Sequence, residues 1–204
     1  MKAGRFITLE GGEGAGKSTQ VGRLACALAA DGVPVLRTRD PGGTPGAEAV
    51  RRVLLDSGVW DGIAECMLHF AARREHVTRT IRPALKAGIW VISDRFTDST
   101  LAYQCFGQGV PRAAFDALAA VALEGLRPDL TLVLEIDPAE GLSRAAARGD
   151  FNRYEALDAA FHARVRAGFR AIAAGEPGRC ALIDATDGAE GVAASILRIV
   201  RARL

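Results

Sequence analysis

Phe6-Ile7-Thr8-Leu9-Glu10-Gly11-Gly12-Glu13-Gly14-Ala15-Gly16-Lys17-Ser18 is the stretch that decides the fold of this chain. A short apolar run enters a glycine-rich loop, and the loop enters a helix-like stretch from Lys17 to Ala30. Gly11 to Ser18 has the form Gly-x-x-x-x-Gly-Lys-Ser in the strand–loop–helix setting that a phosphate-binding loop requires. Its glycines let the backbone wrap closely, so that N–H groups turn toward phosphate oxygens, and the following helix adds its dipole. The expected nucleotide-binding set is Gly11, Gly12, Glu13, Gly14, Ala15, Gly16, Lys17, Ser18 and Thr19, for a nucleoside triphosphate. Lys17 is expected to reach the β- and γ-phosphates as a catalytic group, and the Ser18 hydroxyl to ligate Mg²⁺.

Working outward, apolar runs recur at Phe6 to Leu9, Val33 to Leu36, Ile89 to Ser93, Leu130 to Ile136 and Ala181 to Ile183. Helical stretches separate them: Lys17 to Ala30, Ala47 to Leu55, Ala64 to Ala87, Arg112 to Leu123, Glu140 to Arg148, Ala156 to Ala174 and Ala189 to Arg203. The alternation predicts an α/β fold of the P-loop NTPase type, a parallel five-stranded sheet with helices on both faces. The 204 residues suit a single domain. The segment from Arg144 to Glu155 is polar, basic and broken by Gly149, and reads as a short mobile lid. A net charge of +2 does not call for a nucleic-acid surface, and no apolar run is long enough to span a bilayer. Met1 to Arg5 has no signal-peptide core, so the expected location is the cytoplasm. The four cysteines, Cys26, Cys66, Cys105 and Cys180, have no metal-site spacing and read as free thiols, Cys26 as a small buried one.

In such sheets ligands bind at the carboxyl ends of the strands. The second run ends in Arg39-Asp40-Pro41-Gly42-Gly43-Thr44, which suits an anionic, hydroxylated ligand but also an ordinary surface turn. The third ends in Ser93-Asp94-Arg95, where Asp94 is placed to hold Mg²⁺ through water and Arg95 to clamp a phosphate. On the preceding helix, His69 and Arg73 share a face, as do Phe70 and Arg74. A ring stacked on a base and an arginine beside it would suit a nucleotide, whereas a core aromatic with solvated arginines has the same spacing. An Asn-Lys-x-Asp guanine motif is absent, which disfavours a signalling GTPase.

These residues resemble bacterial thymidylate kinases along nearly the whole chain. The most specific pieces are Arg39 to Thr44, Asp94-Arg95-Phe96 and Asp98-Ser99-Thr100-Leu101-Ala102-Tyr103-Gln104. The resemblance implies phosphorylation of dTMP to dTDP by ATP with Mg²⁺, in a homodimer, with no nucleic-acid or membrane partner. It implies that Glu13 and Asp40 lie near the acceptor's sugar and phosphate. Arg39, Arg51, Arg73 and Arg95 match positions that handle thymidylate. Thr100 and Gln104 match readers of the thymine edge, and Tyr103 a residue packed near C2′. Family members usually carry a stacking Phe four residues before the arginine equivalent to Arg73. Here His69 fills that slot and Phe70 follows, so either ring is a candidate.

No variable position of the phosphate loop is basic, so catalytic charge must come from elsewhere. The lid supplies Arg144, Arg148 and Arg153, and the chain matches the lid-arginine class of these kinases. Arg148 or Arg153 is expected on the transferring phosphoryl group, with Lys17 and Arg95 as the remaining catalytic residues. Two other readings remain: a different nucleotide or nucleoside kinase, and an ATP-binding switch or assembly protein.

Overall fold

A computed structural model describes residues 3–56, 58–149 and 153–204. Five strands, β1 (Phe6–Gly11), β2 (Val35–Arg39), β3 (Trp90–Asp94), β4 (Leu130–Glu135) and β5 (Cys180–Asp184), form one sheet in the order β2-β3-β1-β4-β5. All neighbouring pairs are parallel. Parallel strands require crossovers, and helices supply them on both faces. These are α1 (Lys17–Ala30), α2 (Pro45–Asp56), α3 (Gly62–His76), α4 (Arg82–Lys86), α5 (Thr97–Thr100), α6 (Arg112–Leu123), α7 (Pro138–Arg148), α8 (Ala159–Gly175) and α9 (Ala189–Arg203).

The pleat of β1 divides the core. Ile7 and Leu9 face α1 and α9, where Val21, Leu24, Leu28, Val192 and Ile196 complete one apolar cluster. Phe6 faces the other way, into a cluster with Phe70, Phe96, Phe161, Val165 and Phe169. Each fully buried side chain of this size contributes about 1.5–3 kcal/mol. On that second face, Thr8 and Thr131 share a buried hydrogen bond of 2.8 Å, and Arg179 donates to Asp98 at 2.7 Å beside them. The runs of β1, β3 and β4 are thus buried on both sides, as a covered parallel sheet demands, whereas β2 and β5 at the sheet edges are only partly covered.

Three expectations are corrected. The second strand lies later than its apolar run, at Val35–Arg39, because register with β3 pairs Val35 to Trp90 and Arg39 to Asp94. The stretch Ala64 to Ala87 is not one regular helix: a π-helical turn, Val77–Ile81, separates α3 from α4, where Pro83 cannot donate to the preceding turn. Cys26 is exposed rather than buried. Val21, Leu24, Ala25 and Leu28 form the buried stripe of α1, which leaves position 26 on the outer side. A fourth feature is new: α5 continues into a π-helical segment, Leu101–Gly107, where no helix was expected.

From β1 the chain crosses to β2 on one side of the sheet, and from β3 to β4 on the other. The carboxyl ends of β1 and β3 therefore flank a switch point, the usual place for a ligand crevice.

Candidate active site

At that crevice lies a cleft of about 620 Å³, a size suited to a small-molecule ligand. Its floor is the loop between β1 and α1. Gly16 takes the left-handed conformation (φ 85°) to start α1, and Gly14 (φ 65°) allows the loop to close on itself. Glu13, Gly14, Gly16, Lys17, Ser18 and Thr19 line the cleft, while Gly11, Gly12 and Ala15 do not. Lys17 donates to the Gly12 carbonyl at 2.6 Å. Burial and the charge of Arg95 push its pKa down to about 8, against the pull of Glu13 and Asp94.

The Ser18 hydroxyl donates to Asp94, so the two expected metal ligands touch across the cleft floor. Both offer hard oxygen atoms beside the first turn of α1, which suits Mg²⁺. Among the described residues no group of three or more His, Cys, Asp or Glu could hold a metal ion. A cation here would therefore share these two oxygens with phosphates and water, as Mg²⁺ usually does in nucleotide sites.

Arg95 follows β3 in a left-handed conformation (φ 68°), unusual for a side chain of this size. Three contacts hold it. Its N–H donates to the Leu9 carbonyl at 2.9 Å, Ser93 Oγ donates to its carbonyl at 2.7 Å, and Phe96 N donates to the buried Glu10 carboxylate at 2.8 Å. Burial and the charge of Asp98 raise the Glu10 pKa well above the carboxylate range. The guanidinium so placed donates to Glu13 Oε1 at 2.9 Å and to Gly11 O and Ser99 Oγ at 3.0 Å. Tyr103 adds a second donor to Glu13 at 2.7 Å. Burial favours neutral Glu13, but Arg95, Lys17 and the Tyr103 hydroxyl outweigh it and bring its pKa to about 2. Glu13 is a fixed anion at any physiological pH.

A second wall comes from β2 and α2. Arg39 grips Glu48 with Nε and Nη2 at 3.0 and 2.8 Å, and Arg51 donates to the Pro41 carbonyl at 3.0 Å. Burial and the nearby Arg39 and Arg95 charges lower the Arg51 pKa from its ordinary value. The cleft thus has a local excess of positive charge, which an anion would relieve.

The third wall is α3 facing the segment after α5. Arg73 and Asp40 form a buried pair at 2.5 Å, with side chains 1% and 0% exposed. Burial raises the Asp40 pKa, but Arg73 and His76 more than offset it, so Asp40 stays ionised. Arg73 Nη2 also donates to Thr100 Oγ1 at 3.0 Å, whereas its buried Nη1 has no hydrogen-bond partner among the described residues. His69 lines the cleft and lies 3.2 Å from the Tyr154 hydroxyl. Burial and Arg73 lower its pKa to about 4, so its ring is neutral. Gln104 lines the cleft and donates to Glu65 Oε1 at 2.8 Å.

The cleft therefore gathers Glu13, Arg39, Asp40, Arg51, His69, Arg73, Arg95, Thr100, Tyr103 and Gln104 from separate parts of the chain. Phe70 is not among them. Its ring packs edge-on against Phe115 at 5.3 Å in the core, because one residue along a helix turns the side chain by about 100°. Of the three arginines expected on a lid, Arg144 lies within α7, where it donates to Glu140 at 2.6 Å and to the Ala185 carbonyl at 3.0 Å. Arg148 ends α7, and its side chain lies outside what the structure describes. Arg153 pairs with Glu65 at 2.7 Å. Glu65, Tyr154, Ser99 and Glu10 escaped the sequence reading. Glu65 had a signal, since Glu65, His69 and Arg73 form a polar stripe at helical spacing on an otherwise buried face.

A profile of the thymidylate kinase family matches residues 9–196. The thymidylate kinase of Caulobacter vibrioides is 48% identical over 100% of this chain and 99% of its own length. That of Gluconobacter oxydans is 51% identical, over 98% of this chain and 96% of its own length. The crystal structure of thymidylate kinase from Ehrlichia chaffeensis superposes with a TM-score of 0.81 at 35% identity, covering 98% of this chain and 99% of that one.

Proposed function

The chain belongs to the thymidylate kinase family, and we propose that its cleft transfers the γ-phosphoryl group of ATP to the 5′-phosphate of dTMP, giving dTDP and ADP. The observation that carries the reading is the meeting of two half-sites in one cleft: a phosphate loop on β1–α1, and an acceptor half made by Arg39, Asp40, Arg51, His69, Arg73, Thr100 and Gln104. No switch or assembly protein needs the second half. A coupled assay with dTMP, dUMP, dCMP, AMP and GMP tests it. The expected result is a clear preference for dTMP; equal rates with AMP would overturn it.

In this reading, the acceptor phosphate is drawn to the excess positive charge around Arg39, Arg51 and Arg95. One of its oxygens attacks the γ-phosphorus as the bond to the β-phosphate oxygen breaks. Bringing two anions together is the main obstacle, and fixed cations lower it. Lys17 follows the β- and γ-phosphates. Ser18 and Asp94 would hold Mg²⁺, which supplies further positive charge to the phosphate oxygens. The paired Glu13 keeps Arg95 aimed across the loop. The neutral ring of His69 supports stacking on thymine, and the unpartnered Nη1 of Arg73 supports donation to a base oxygen.

Arg148 and Arg153 are proposed as the lid cations of transfer. Arg148→Ala is expected to lower kcat by about 100-fold or more with a much smaller change in the KM for dTMP, by analogy with arginine fingers. Arg153→Ala is expected to lower kcat as well while also raising the KM for dTMP, because Arg153 pairs with Glu65 beside the base wall. If both variants turn over within a few-fold of the parent, that role is wrong. A homodimer, action as a single domain and a cytoplasmic location complete the proposal. Among the described residues, no helix is long and apolar enough to cross a membrane.

A further inference from the structure

Glu65 lies behind the cleft wall, fully buried, and its two oxygens accept hydrogen bonds from four side chains. Gln104 Nε2 donates to Oε1 at 2.8 Å, and the Tyr154 hydroxyl donates to the same atom at 2.5 Å. Arg153 pairs with Oε2 at 2.7 Å, and Gln108 Nε2 reaches both oxygens at 3.2 and 3.3 Å. An ionised carboxylate only accepts. Burial favours protonated Glu65, but Arg153, Tyr154 and Gln108 more than offset it and lower its pKa, so it remains ionised.

This decides the polarity of every group that Glu65 touches. The amide of Gln104 must turn its NH₂ toward Glu65, because the opposite orientation would set a carbonyl oxygen against a carboxylate oxygen. Its carbonyl oxygen is then the atom left for the cleft. The Tyr154 oxygen, having donated its proton to Glu65, accepts from Arg153 Nη2 at 3.0 Å. It also accepts from His69 Nε2 at 3.2 Å, which assigns the proton of that neutral ring to Nε2.

We propose that Glu65 is a specificity-determining positioning residue. By fixing the Gln104 amide with its carbonyl oxygen toward the base, it selects a pyrimidine whose N3 carries a proton. Thymine and uracil have that proton; cytosine has a bare acceptor at N3, which would face the carbonyl oxygen without a donor between them. The proposal rests on the reading of the cleft as a dTMP site and adds how that site rejects dCMP.

The test compares kcat and KM for dTMP and dCMP in the parent and in Glu65→Gln. The substituted amide can donate as well as accept, so Gln104 can turn over. The expected result is a KM for dTMP raised roughly ten-fold with kcat nearly unchanged, and a dCMP-to-dTMP ratio of kcat/KM raised roughly ten-fold. Glu65→Asp keeps an acceptor-only head on a shorter stem. It is expected to raise the KM for dTMP while leaving the ratio at the parent value. In a Gln104→Leu background, Glu65→Gln is expected to leave the ratio unmoved. In Glu65→Gln, a loss of both substrates in proportion, or a lower Tm with the parent ratio, makes Glu65 a structural residue and overturns the proposal. If Glu65→Gln does not fold, Glu65→Asp decides: a shifted ratio there overturns it equally. A parent that does not phosphorylate dTMP would refute the dTMP reading itself, a result distinct from an active parent whose ratio Glu65 does not control.

Discussion

Lys17 shows what a buried charge does at the residue scale. Its neighbours only partly repay its lost hydration, and its pKa falls to about 8. The phosphates of ATP favour the charged form, so binding must raise that pKa. By linkage, ATP affinity is complete below about pH 8, where Lys17 is already protonated, and falls as pH rises above it. Calorimetric titration is expected to give a Kd for ATP about ten-fold weaker at about pH 9 than at about pH 7. Lys17→Met should flatten that dependence while removing most of the affinity, and a flat profile in the parent would refute the assignment. Lys17 was legible because its motif is local. The choice between His69 and Phe70 was not, since both are rings on one helix and only the packing of α3 against α6 decides which one is core. Glu65 was harder still: its partners Gln104 and Tyr154 lie 39 and 89 residues away.

At the scale of elements, the phosphate loop is fitted to α7, the helix that ends at Arg148. A Cβ at Gly14 would sit 1.8 Å from the Gly141 carbonyl oxygen, and a Cβ at Gly141 would sit 2.3 Å from the Glu13 carbonyl oxygen. Backbone meets backbone there, so neither side can yield by a rotamer change. Gly141→Ala should therefore push α7 off the loop, costing about 1–3 kcal/mol. In a chain of this length each kcal/mol lowers Tm by roughly 2–4 °C. Because α7 leads into the proposed lid, kcat should fall further than the KM for dTMP rises. Gly178→Ala is the control, since a Cβ there meets nothing within 4 Å and both Tm and kcat should hold. Equal behaviour of the two variants would show that the contact is not rigid. The sheet and its crossovers were readable because apolar runs and helical spacing are local signals. The Gly14–Gly141 contact and the π-helical segment Leu101–Gly107 were not. One depends on distant packing, and the other, Leu-Ala-Tyr-Gln-Cys-Phe-Gly, mixes good helix formers with Tyr, Cys, Phe and Gly, so its local preference does not settle on a helix.

At the scale of the whole molecule, the same helix that presents His69 and Arg73 to the cleft shows apolar side chains outward. On α3, Ile63 and Met67 are one turn apart and 39% and 53% exposed, while Val121 on α6, which packs beside α3, is 76% exposed. Exposed apolar groups on two adjoining helices are a candidate association surface. They support the proposed homodimer, with α3 and α6 of one protomer against the same helices of its partner in a two-fold contact. Sedimentation velocity is expected to show a dimer at micromolar concentration, and Met67→Glu or Val121→Glu to shift it to monomer by burying an unpaired charge in the interface. Met67 lies between Glu65 and His69 on α3, so monomers should also bind dTMP several-fold less tightly, because the helix that shapes the base wall loses its outer support. A parent that sediments as a monomer would refute the dimer. A clean monomer with parental KM would keep the dimer and remove its link to the site.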